Sequence, residues 1–274
     1  MTWGLREVSV TRDRKQAITA VTVPVDPARI TVLIGGDGAG KSTCLEVMAG
    51  LLTPDSGTVL RPPKELIGYV PATVGFYADL TVQENLDFSA GAYRLSGSGY
   101  AKRADELLSN TGLGRARHRL GGQLSGGMQR KLAVVMALLH TPGLLILDEP
   151  TTGVDPVSRA ELWRLISGAA AAGTAVAVST TYVNEAARAA WVVLLEAGNA
   201  VASATPSQIL KDIPGALGST AGTARPTPLS WRRGTSWRVW APDGRLPDGI
   251  RPVQPDFEDA VVAATLASEQ GRPR

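Results

Sequence analysis

Cysteine is nearly absent from this sequence, since Cys44 is the only one among 274 residues. A single thiol excludes an intramolecular disulfide framework and a metal site built from several cysteines, and it suits a reducing compartment. Cys44 stands in a segment with helical apolar spacing, where we expect a small buried hydrophobe and not a reactive thiol.

Long apolar runs and strong charge are absent as well. No segment approaches the ~18 consecutive apolar residues of a membrane-spanning helix, and the opening residues MTWGLREVSV lack the apolar core of a secretory signal. Lys and Arg number 28 against 25 Asp and Glu, a net charge of +3, which does not make a polybasic surface. We therefore expect a cytoplasmic protein and no binding of nucleic acid.

The order of the apolar patterns predicts an α/β fold. Short alternating runs in residues 3–34 suggest a small sheet that leads into a loop. The β-rich runs at 144–148 and 174–180 are typical of strands buried in a parallel sheet, and a helical pattern at 156–172 separates them. A strand, a helix and a strand in this order indicate a βαβ unit.

Two further regions flank this unit. Residues 81–140 have helical spacing in about three segments. After about Lys211 the composition changes to a Gly-, Thr- and Pro-rich stretch, which we interpret as a linker, followed by a strand or two and a terminal helix. These patterns place a main domain at 1–212, with a helical subdomain at about 75–142, and a C-terminal extension at 213–274.

The stretch GGDGAGKST lies between the strand-like run ITVLI and the helical pattern CLEVMAGLL. It matches the phosphate-loop pattern, in which backbone amides surround a phosphate, Lys41 reaches the outer phosphates and Ser42 offers a hydroxyl to Mg²⁺. Kinases, GTPases and transport ATPases share this loop, so it does not identify the reaction. The predicted nucleotide-binding residues are Gly35, Gly36, Asp37, Gly38, Ala39, Gly40, Lys41, Ser42 and Thr43.

Two acids and a second anion-binding pattern complete the candidate site. LLILDEP ends an apolar strand with Asp148 and Glu149, which strand alternation directs apart. Asp148 is predicted to hold magnesium through water, and Glu149 to polarise the water that attacks the γ-phosphate. LSGGMQ places Ser125 and two glycines at a helix start, which suits either an ordinary N-cap or a bound anion.

In this order and spacing, GGDGAGKST, LSGGMQ, LLILDEP and TTGVDP resemble the ATP-binding-cassette (ABC) ATPases from about residue 5 to residue 211. The resemblance implies a P-loop NTPase with an N-terminal antiparallel β-subdomain, a RecA-like parallel-sheet core and an inserted α-helical subdomain, here followed by a small C-terminal α+β extension. It also implies a head-to-tail dimer with two ATP molecules in the interface. Ser125, Gly126 and Gly127 then act on the partner's nucleotide, and Asp155 links the two sites.

Two other segments resemble the bacterial drug- and antibiotic-export subfamily of daunorubicin-resistance type. GFYADLTVQENL is similar to the segment that meets the membrane partner, and RPVQPDFEDAVVAA is similar to the C-terminal ending, with Ala or Val in place of an aromatic residue. The resemblance implies the nucleotide-binding subunit of an exporter, peripheral on the inner face of the cell membrane. Such a subunit uses ATP and Mg²⁺ and works with membrane subunits and with a second cassette, identical or different.

Three residues that this family expects are missing. The glutamine expected after IGYVP is Ala72, the histidine expected after TAVAVST is Thr181, and residues 11–14 contain no aromatic residue to stack on adenine. The phosphate contacts do not need these groups, so we expect binding of Mg-ATP but slow hydrolysis in this chain's own site. Because LSGGMQ is intact, the chain is also predicted to be the degenerate half of a heterodimer.

Several residues are candidate substitutes for the missing groups. Gln83 and Tyr182 could contribute to hydrolysis, and Trp3 could stack on adenine if the N-terminal strands are unusually arranged. His118 and His140 do not stand where the family has its histidine.

Two other functions stay open from the sequence. One is a soluble ABC protein that acts on ribosomes or DNA, although such proteins commonly fuse two cassettes or carry a long insertion. The other is a regulatory subunit that holds ATP without turning it over. The basic segment SWRRGTSWRVW can be interpreted as a nucleic-acid patch, but its few charges and alternating tryptophans favour a small β-element.

Overall fold

A computed structural model of the chain describes residues 2–73 and 75–270. Its strands are β1 (Trp3–Arg12), β2 (Lys15–Val25), β3 (Ile30–Ile34), β4 (Ser56–Leu60), β5 (Ile67–Val70), β6 (Leu144–Leu147), β7 (Ala175–Thr180), β8 (Trp191–Glu196), β9 (Asn199–Ala204), β10 (Ala216–Ala221), β11 (Ser230–Arg233), β12 (Ser236–Ala241) and β13 (Arg251–Pro252). Its α-helices are α1 (Lys41–Ala49), α2 (Val82–Ala92), α3 (Gly97–Asn110), α4 (Gly126–Leu138), α5 (Pro156–Ala171), α6 (Val183–Ala186), α7 (Pro206–Lys211) and α8 (Phe257–Gln270).

A six-stranded sheet in the order β5-β6-β7-β3-β8-β9 forms the centre of the molecule. The first five strands run parallel, and β9 runs antiparallel to β8. Every residue of β6 and β7 is buried, which is why their sequences are continuous apolar runs and not alternating ones. The predicted parallel-sheet core is therefore confirmed.

The sequence pattern assigned one strand to the wrong sheet. ITVLI was expected in the small N-terminal sheet, but it forms β3 between β7 and β8 of the central sheet. Four of its five residues are buried, and an apolar strand of this kind is stable only where both faces are covered. Strands β8 and β9 were not predicted.

The N-terminal strands form the predicted antiparallel subdomain, in the order β2-β1-β4. Their inward side chains, such as Leu5, Ile18 and Val21, share a core with α1 and one face of the central sheet. Cys44 lies in this core as a free, buried thiol, and burial raises its pKa to about 12. The expectation of a small buried hydrophobe is confirmed.

Three helices, α2, α3 and α4, form the inserted helical subdomain, as the three-segment pattern predicts. Thr81 starts α2 with a capping box, in which its hydroxyl accepts from the Glu84 N–H and the Glu84 carboxylate accepts from the Thr81 N–H. The apolar faces of these helices share a core with the other face of the central sheet. Within 2–73 and 75–270, none of the helices combines the length and apolar character needed to cross a membrane.

The C-terminal extension contains more regular structure than the sequence indicates. The stretch interpreted as a linker includes β10, which is an inner strand of a four-stranded sheet in the order β11-β12-β10-β13. Its sequence ALGSTA has weak β-propensity, so its pairing with β12 decides the structure. Helix α8 joins this sheet to the main domain, because Ala263 packs on the sheet while Ala260 and Val261 belong to the main core.

A cluster of ion pairs fastens the sheet to the first turn of α8. The Asp259 carboxylate is fully buried and accepts from Arg233 Nη1 at 3.1 Å and from Arg238 Nε at 3.3 Å. Arg233 also donates to Asp256, and this hydrogen bond lowers the pKa of Asp256. Two arginines of SWRRGTSWRVW are thus engaged inside the extension, which favours the β-element over the nucleic-acid patch.

We expect Asp259→Asn to lower the free energy of unfolding by about 1.5–3 kcal/mol, because two arginines would lose a buried charged acceptor. Urea unfolding followed by tryptophan fluorescence measures this effect. Asp248→Asn, which changes an exposed acid of the same extension, is the matched control. Equal stability of the two variants would contradict the role given to Asp259.

The burial of His140 makes the stability of the folded chain depend on pH. Its buried ring stacks on Tyr93, with centroids 3.6 Å apart. Burial lowers the pKa of His140 from 6.5 to about 4. Between these values the unfolded chain binds a proton that the folded chain does not, so stability falls as the pH falls.

We therefore expect His140→Phe, which keeps the stack on Tyr93, to reduce this loss of stability between pH 6.5 and pH 4. The wild-type loss that His140 causes is at most about 1.4 kcal/mol per pH unit. Urea unfolding at several pH values measures it, and His118→Asn, at an exposed histidine, should leave the wild-type slope in place. An unchanged slope in His140→Phe would show that other groups cause the loss.

Candidate functional site

The predicted phosphate loop connects the end of β3 to the start of α1. Gly40 is the N-cap of α1 with φ 101°, and a Cβ added there would lie 2.6 Å from Ile18 Cγ2. A Cβ at Gly35 would lie 2.2 Å from the Leu195 carbonyl oxygen, so both positions require glycine. Since glycine has no side chain to cap the helix, the N–H groups of the first turn of α1 remain for an anion.

Lys41 places a positive charge inside this loop. Its side chain is buried, and Nζ donates to the carbonyl oxygens of Gly35 and Gly36, both at 2.9 Å. Nζ also lies 3.4 Å from Glu149 Oε1. The structure therefore brings the loop lysine and the predicted catalytic acid together, although more than a hundred residues separate them in the sequence.

Ser179, at the end of β7, positions both acids. Its hydroxyl donates to Asp148 Oδ1 at 2.5 Å and accepts from the Glu149 N–H at 2.8 Å. Asp148 and Ser179 are buried, whereas the Glu149 side chain is 22% exposed and its backbone has φ 47°. The hydrogen bond from Glu149 N–H thus supports an uncommon left-handed backbone.

Ser179 is a functional residue that the sequence reasoning missed. Leu147 pairs with Val178 in the parallel ladder of β6 and β7, so the residues that follow them are neighbours. The apolar runs at 144–148 and 174–180 contained the signal for this contact. If they are adjacent parallel strands, their carboxyl ends meet at one edge of the sheet, which brings Ser179 to Asp148.

The donor set fits a magnesium ion that arrives with a nucleotide. Across the described ranges there is no group of three or more His, Cys, Asp or Glu side chains that could hold a metal ion by themselves. Mg²⁺ usually takes one or two carboxylates, with phosphate oxygens and water as its other ligands. Ser42, which follows Lys41 in the first turn of α1, and Asp148, which Ser179 holds beside Glu149, would be the protein ligands of such an ion.

Two of the positions that depart from the family pattern follow strands β5 and β7, which end at the same edge of the sheet as β6. Ala72 is exposed, and its carbonyl oxygen accepts from Arg130 Nη2 at 2.6 Å. Thr181 is exposed just after β7. Gln83 donates to Asp87 Oδ1 at 2.7 Å and to the Tyr100 hydroxyl at 3.2 Å inside the helical subdomain, and this geometry does not support Gln83 as a substitute.

Trp3 does not lie where it could stack on a base bound at the loop. The loop packs on Ala17 and Ile18 of β2, and Ile18 pairs with Val10 of β1, whereas Trp3 pairs with Val25 at the other end of the hairpin. At about 3.3 Å per residue, Trp3 is roughly 23 Å from Val10 along the strand. The N-terminal strands are therefore not arranged in the unusual way that stacking of Trp3 on adenine would require.

The LSGGMQ and GVDP segments each begin a helix. Ser125 caps α4 by accepting from the Met128 N–H at 3.4 Å, and its side chain is exposed. Asp155 caps α5 by accepting from the N–H groups of Val157 and Ser158, both at 3.0 Å. These hydrogen bonds, the one from Ser158 first, lower the pKa of Asp155. Both residues therefore have the ordinary capping role, and both remain accessible.

The two helix starts are packed against each other. A Cβ added to Gly127 would lie 2.6 Å from Ser158 Oγ and 3.2 Å from Asp155 Oδ2. Gly126, by contrast, has open space around it and is exposed. Glycine at 127 permits this close approach, so Ser125 and Asp155 present one continuous surface.

Comparisons with known proteins agree with this geometry. A family model described as ABC transporter matches residues 18–152. The probable multidrug ABC transporter ATP-binding protein YbhF of Escherichia coli (strain K12) is 37% identical over 211 residues, which are 73% of this chain and 36% of that protein. The daunorubicin/doxorubicin resistance ATP-binding protein DrrA of Streptomyces peucetius is 36% identical over 209 residues, which are 71% of this chain and 62% of that protein. The chain thus spans less than two thirds of these curated relatives.

A solved structure shows the same fold over most of its length. The ATP binding subunit of an ABC transporter superposes with a TM-score of 0.71 and 30% identity, over 77% of this chain and 92% of that chain. The resemblance to drug- and antibiotic-export proteins that the sequence motifs indicate is confirmed by YbhF and DrrA. The chain therefore belongs to the family of ABC transporter ATP-binding proteins.

Proposed function

We propose that this chain is the nucleotide-binding subunit of an exporter, which binds Mg-ATP and couples its binding and hydrolysis to transport by separate membrane subunits. The observation that carries this proposal is the meeting of Lys41, Glu149 and Asp148 at the phosphate loop. The names of YbhF and DrrA, which include multidrug and daunorubicin resistance, support drug export as the kind of transport. The subunit would lie on the inner face of the cell membrane.

Each residue of the site has a separate task in this proposal. The loop amides and Lys41 would bind the phosphates, and Lys41 would leave its contact with Glu149 for the γ-phosphate. Ser42 and Asp148 would hold magnesium, which neutralises phosphate charge when bound. Glu149, released from Lys41, would orient the attacking water and accept its proton.

We infer slow hydrolysis in this chain's own site. Ala72 offers only a methyl group, which cannot hydrogen-bond to the attacking water, and Thr181 is shorter than the expected histidine. Removing one transition-state contact commonly costs about a hundredfold or more in rate. The loop and Lys41 do not depend on either position, so binding would persist while cleavage is slow.

The surface formed by Ser125 and Asp155 supports a head-to-tail dimer. Both residues are accessible at helix starts, where backbone N–H groups favour a phosphate. In such a dimer this chain's Ser125, Gly126 and Gly127 would complete the nucleotide site of the partner, and Asp155 would connect the two sites. A different partner cassette with a full set of catalytic residues would make that composite site the fast one.

An aromatic pair on the helical subdomain is a suitable surface for the membrane subunit. Tyr77 and Phe88 meet edge to face at 4.7 Å, and they are 51% and 52% exposed. They belong to or follow the segment GFYADLTVQENL, which resembles the membrane-partner segment of the export subfamily. Large exposed aromatic residues of this kind mark protein interfaces more often than open solvent.

The alternative functions are less well supported. Arg233 and Arg238, two of the three arginines of SWRRGTSWRVW, are paired with Asp259 of α8, which weakens the case for contact with ribosomes or DNA. A subunit that only holds ATP would share the loop and Lys41 but would not need Glu149. Cosedimentation with ribosomes or copurification with a membrane protein separates these functions.

We expect Lys41→Ala to abolish detectable binding of Mg-ATP, because Lys41 is the strong point charge of the loop. Equilibrium titration with a fluorescent ATP analogue measures the affinity. Lys102→Ala, at an exposed position of α3, is the matched control and should bind normally. Unchanged affinity of Lys41→Ala would overturn the site assignment.

The chain keeps LSGGMQ but has Ala72 and Thr181 in place of the expected glutamine and histidine. This asymmetry predicts how a heterodimer behaves. The purified chain alone should hydrolyse ATP near background, and its partner cassette should restore turnover. In the heterodimer, Ser125→Ala should reduce turnover far more than Glu149→Gln, because the serine acts in the working site. Ser167→Ala, at an exposed position of α5, should have no effect. Turnover of roughly 1 s⁻¹ or more by the chain alone would indicate a competent homodimer instead.

A further inference from the structure

A buried carboxylate lies beside the site without a role in the chemistry proposed above. Glu185 is on α6 and is only 3% exposed. Its Oε2 accepts from the Thr180 hydroxyl at 2.6 Å and from the Thr151 hydroxyl at 3.0 Å. Both threonines are fully buried. A carboxylate so deeply buried is costly unless its partners satisfy it, so these contacts constrain the surrounding backbone.

The two threonines belong to two different loops of the site. Thr151 begins the segment that leads to Asp155, at the proposed dimer surface. Thr180 ends β7, and its oxygen also accepts from the Tyr182 N–H at 3.0 Å. This second segment carries Thr181, at the position where the family has its phosphate-contacting histidine. Glu185 therefore holds the interface loop, residues 151–155, and the phosphate-side loop, residues 180–182, at a defined separation.

Arg159 connects the same two loops by a second path. Its Nη2 donates to the Val154 carbonyl oxygen at 3.3 Å, at the end of the interface loop. Its guanidinium lies 4.2 Å from the centre of the Tyr182 ring, in the phosphate-side loop. This distance is within the range of a cation–π contact. A shift of the Tyr182 ring would therefore displace the guanidinium of Arg159, which lies over it.

The ion pair between Arg159 and Glu185 is only partly formed. Arg159 Nε and Glu185 Oε1 are 3.9 Å apart, beyond hydrogen-bond distance. Within the part of the chain that the structure describes, both atoms are buried and have no hydrogen-bond partner. A movement of about 1 Å would let them meet at normal hydrogen-bond distance. The pair can thus take two arrangements: the open one of this structure, at 3.9 Å, and a closed one with a direct hydrogen bond.

We propose that Glu185 and Arg159 are positioning residues that transmit the presence of nucleotide from the phosphate-side loop to the interface loop. Mg-ATP at Lys41 displaces the phosphate-side loop, Tyr182 moves Arg159, and the Arg159–Glu185 pair closes and orders residues 151–155. This inference rests on the proposed function only in requiring that the chain bind Mg-ATP. It assigns to this pair a coupling that does not need a histidine at Thr181.

Hydrogen exchange of the full chain, with and without saturating Mg-ATP, tests this coupling. In the wild type we expect Mg-ATP to slow exchange at the amides of residues 151–155 by about threefold or more. In Glu185→Gln, which keeps an acceptor for the threonines but removes the charge, and in Arg159→Gln, this response should be lost. The affinity for Mg-ATP should remain within about twofold of the wild type, because neither residue contacts the phosphate loop.

A double-mutant cycle and a matched control complete the experiment. The double variant should lose no more than either single variant, since each removes the same pair. Arg164→Gln, at an exposed arginine of α5, should respond like the wild type. If Glu185→Gln unfolds, as thermal denaturation would show, Arg159→Gln decides alone, because the Arg159 side chain is 26% exposed and that of Glu185 only 3%.

The failure of this inference differs from the failure of the proposed function. A wild-type chain that does not bind Mg-ATP would overturn the proposed function. A wild-type chain that binds Mg-ATP and protects residues 151–155, with both variants giving the same protection, would overturn the coupling. Binding without any protection of residues 151–155 in the wild type would overturn it as well.

Discussion

The hydrogen bonds of Ser179 are the interaction on which the candidate site depends. One hydroxyl donates to Asp148 and accepts from the Glu149 N–H, so the side chain of one acid and the backbone of the next are tied to the neighbouring strand. This contact exists because β6 and β7 pair in parallel and end together. The same sheet places β3 on the other side of β7, and β3 delivers the phosphate loop and Lys41 to the same edge.

In the proposed function, the residues that bind the nucleotide are separate from those that cleave it. Binding depends on loop amides, a buried lysine and a helix N-terminus, all of which are local features of one strand–loop–helix unit. Cleavage would need groups from distant segments that reach the γ-phosphate and the water together, and Ala72 and Thr181 stand where the family resemblance places two of these groups. In the function that we propose, a second cassette supplies the efficient chemistry, and the accessible Ser125 is what this chain contributes to that partner's site.

The C-terminal extension shows how a weakly patterned segment acquires structure. Its strand β10 has the composition of a linker, yet it is an inner strand of the sheet because β12 and β13 supply hydrogen-bond partners on both sides. The buried Asp259 carboxylate forms ion pairs with Arg233 and Arg238. Without this partner, the desolvation of two guanidinium groups against an apolar helix would be costly. The tryptophan- and arginine-rich segment is thereby directed inward, toward α8.

The sequence by itself determined the phosphate loop, the two acids, the three helices of the subdomain and the parallel core. Each of these is a short pattern with a local physical cause. The loop needs glycines at positive φ, the acids end an apolar strand, the helices repeat apolar residues every 3.6 positions, and the core strands are continuously apolar. Only the tertiary structure decided that ITVLI joins the central sheet, that Trp3 lies far from the loop, and that Gln83 is engaged with Asp87 and Tyr100. It alone brought Glu185 to Thr151 and close to Arg159. These contacts join residues far apart in the chain, and their energies depend on burial and strand pairing, which no short stretch of sequence contains.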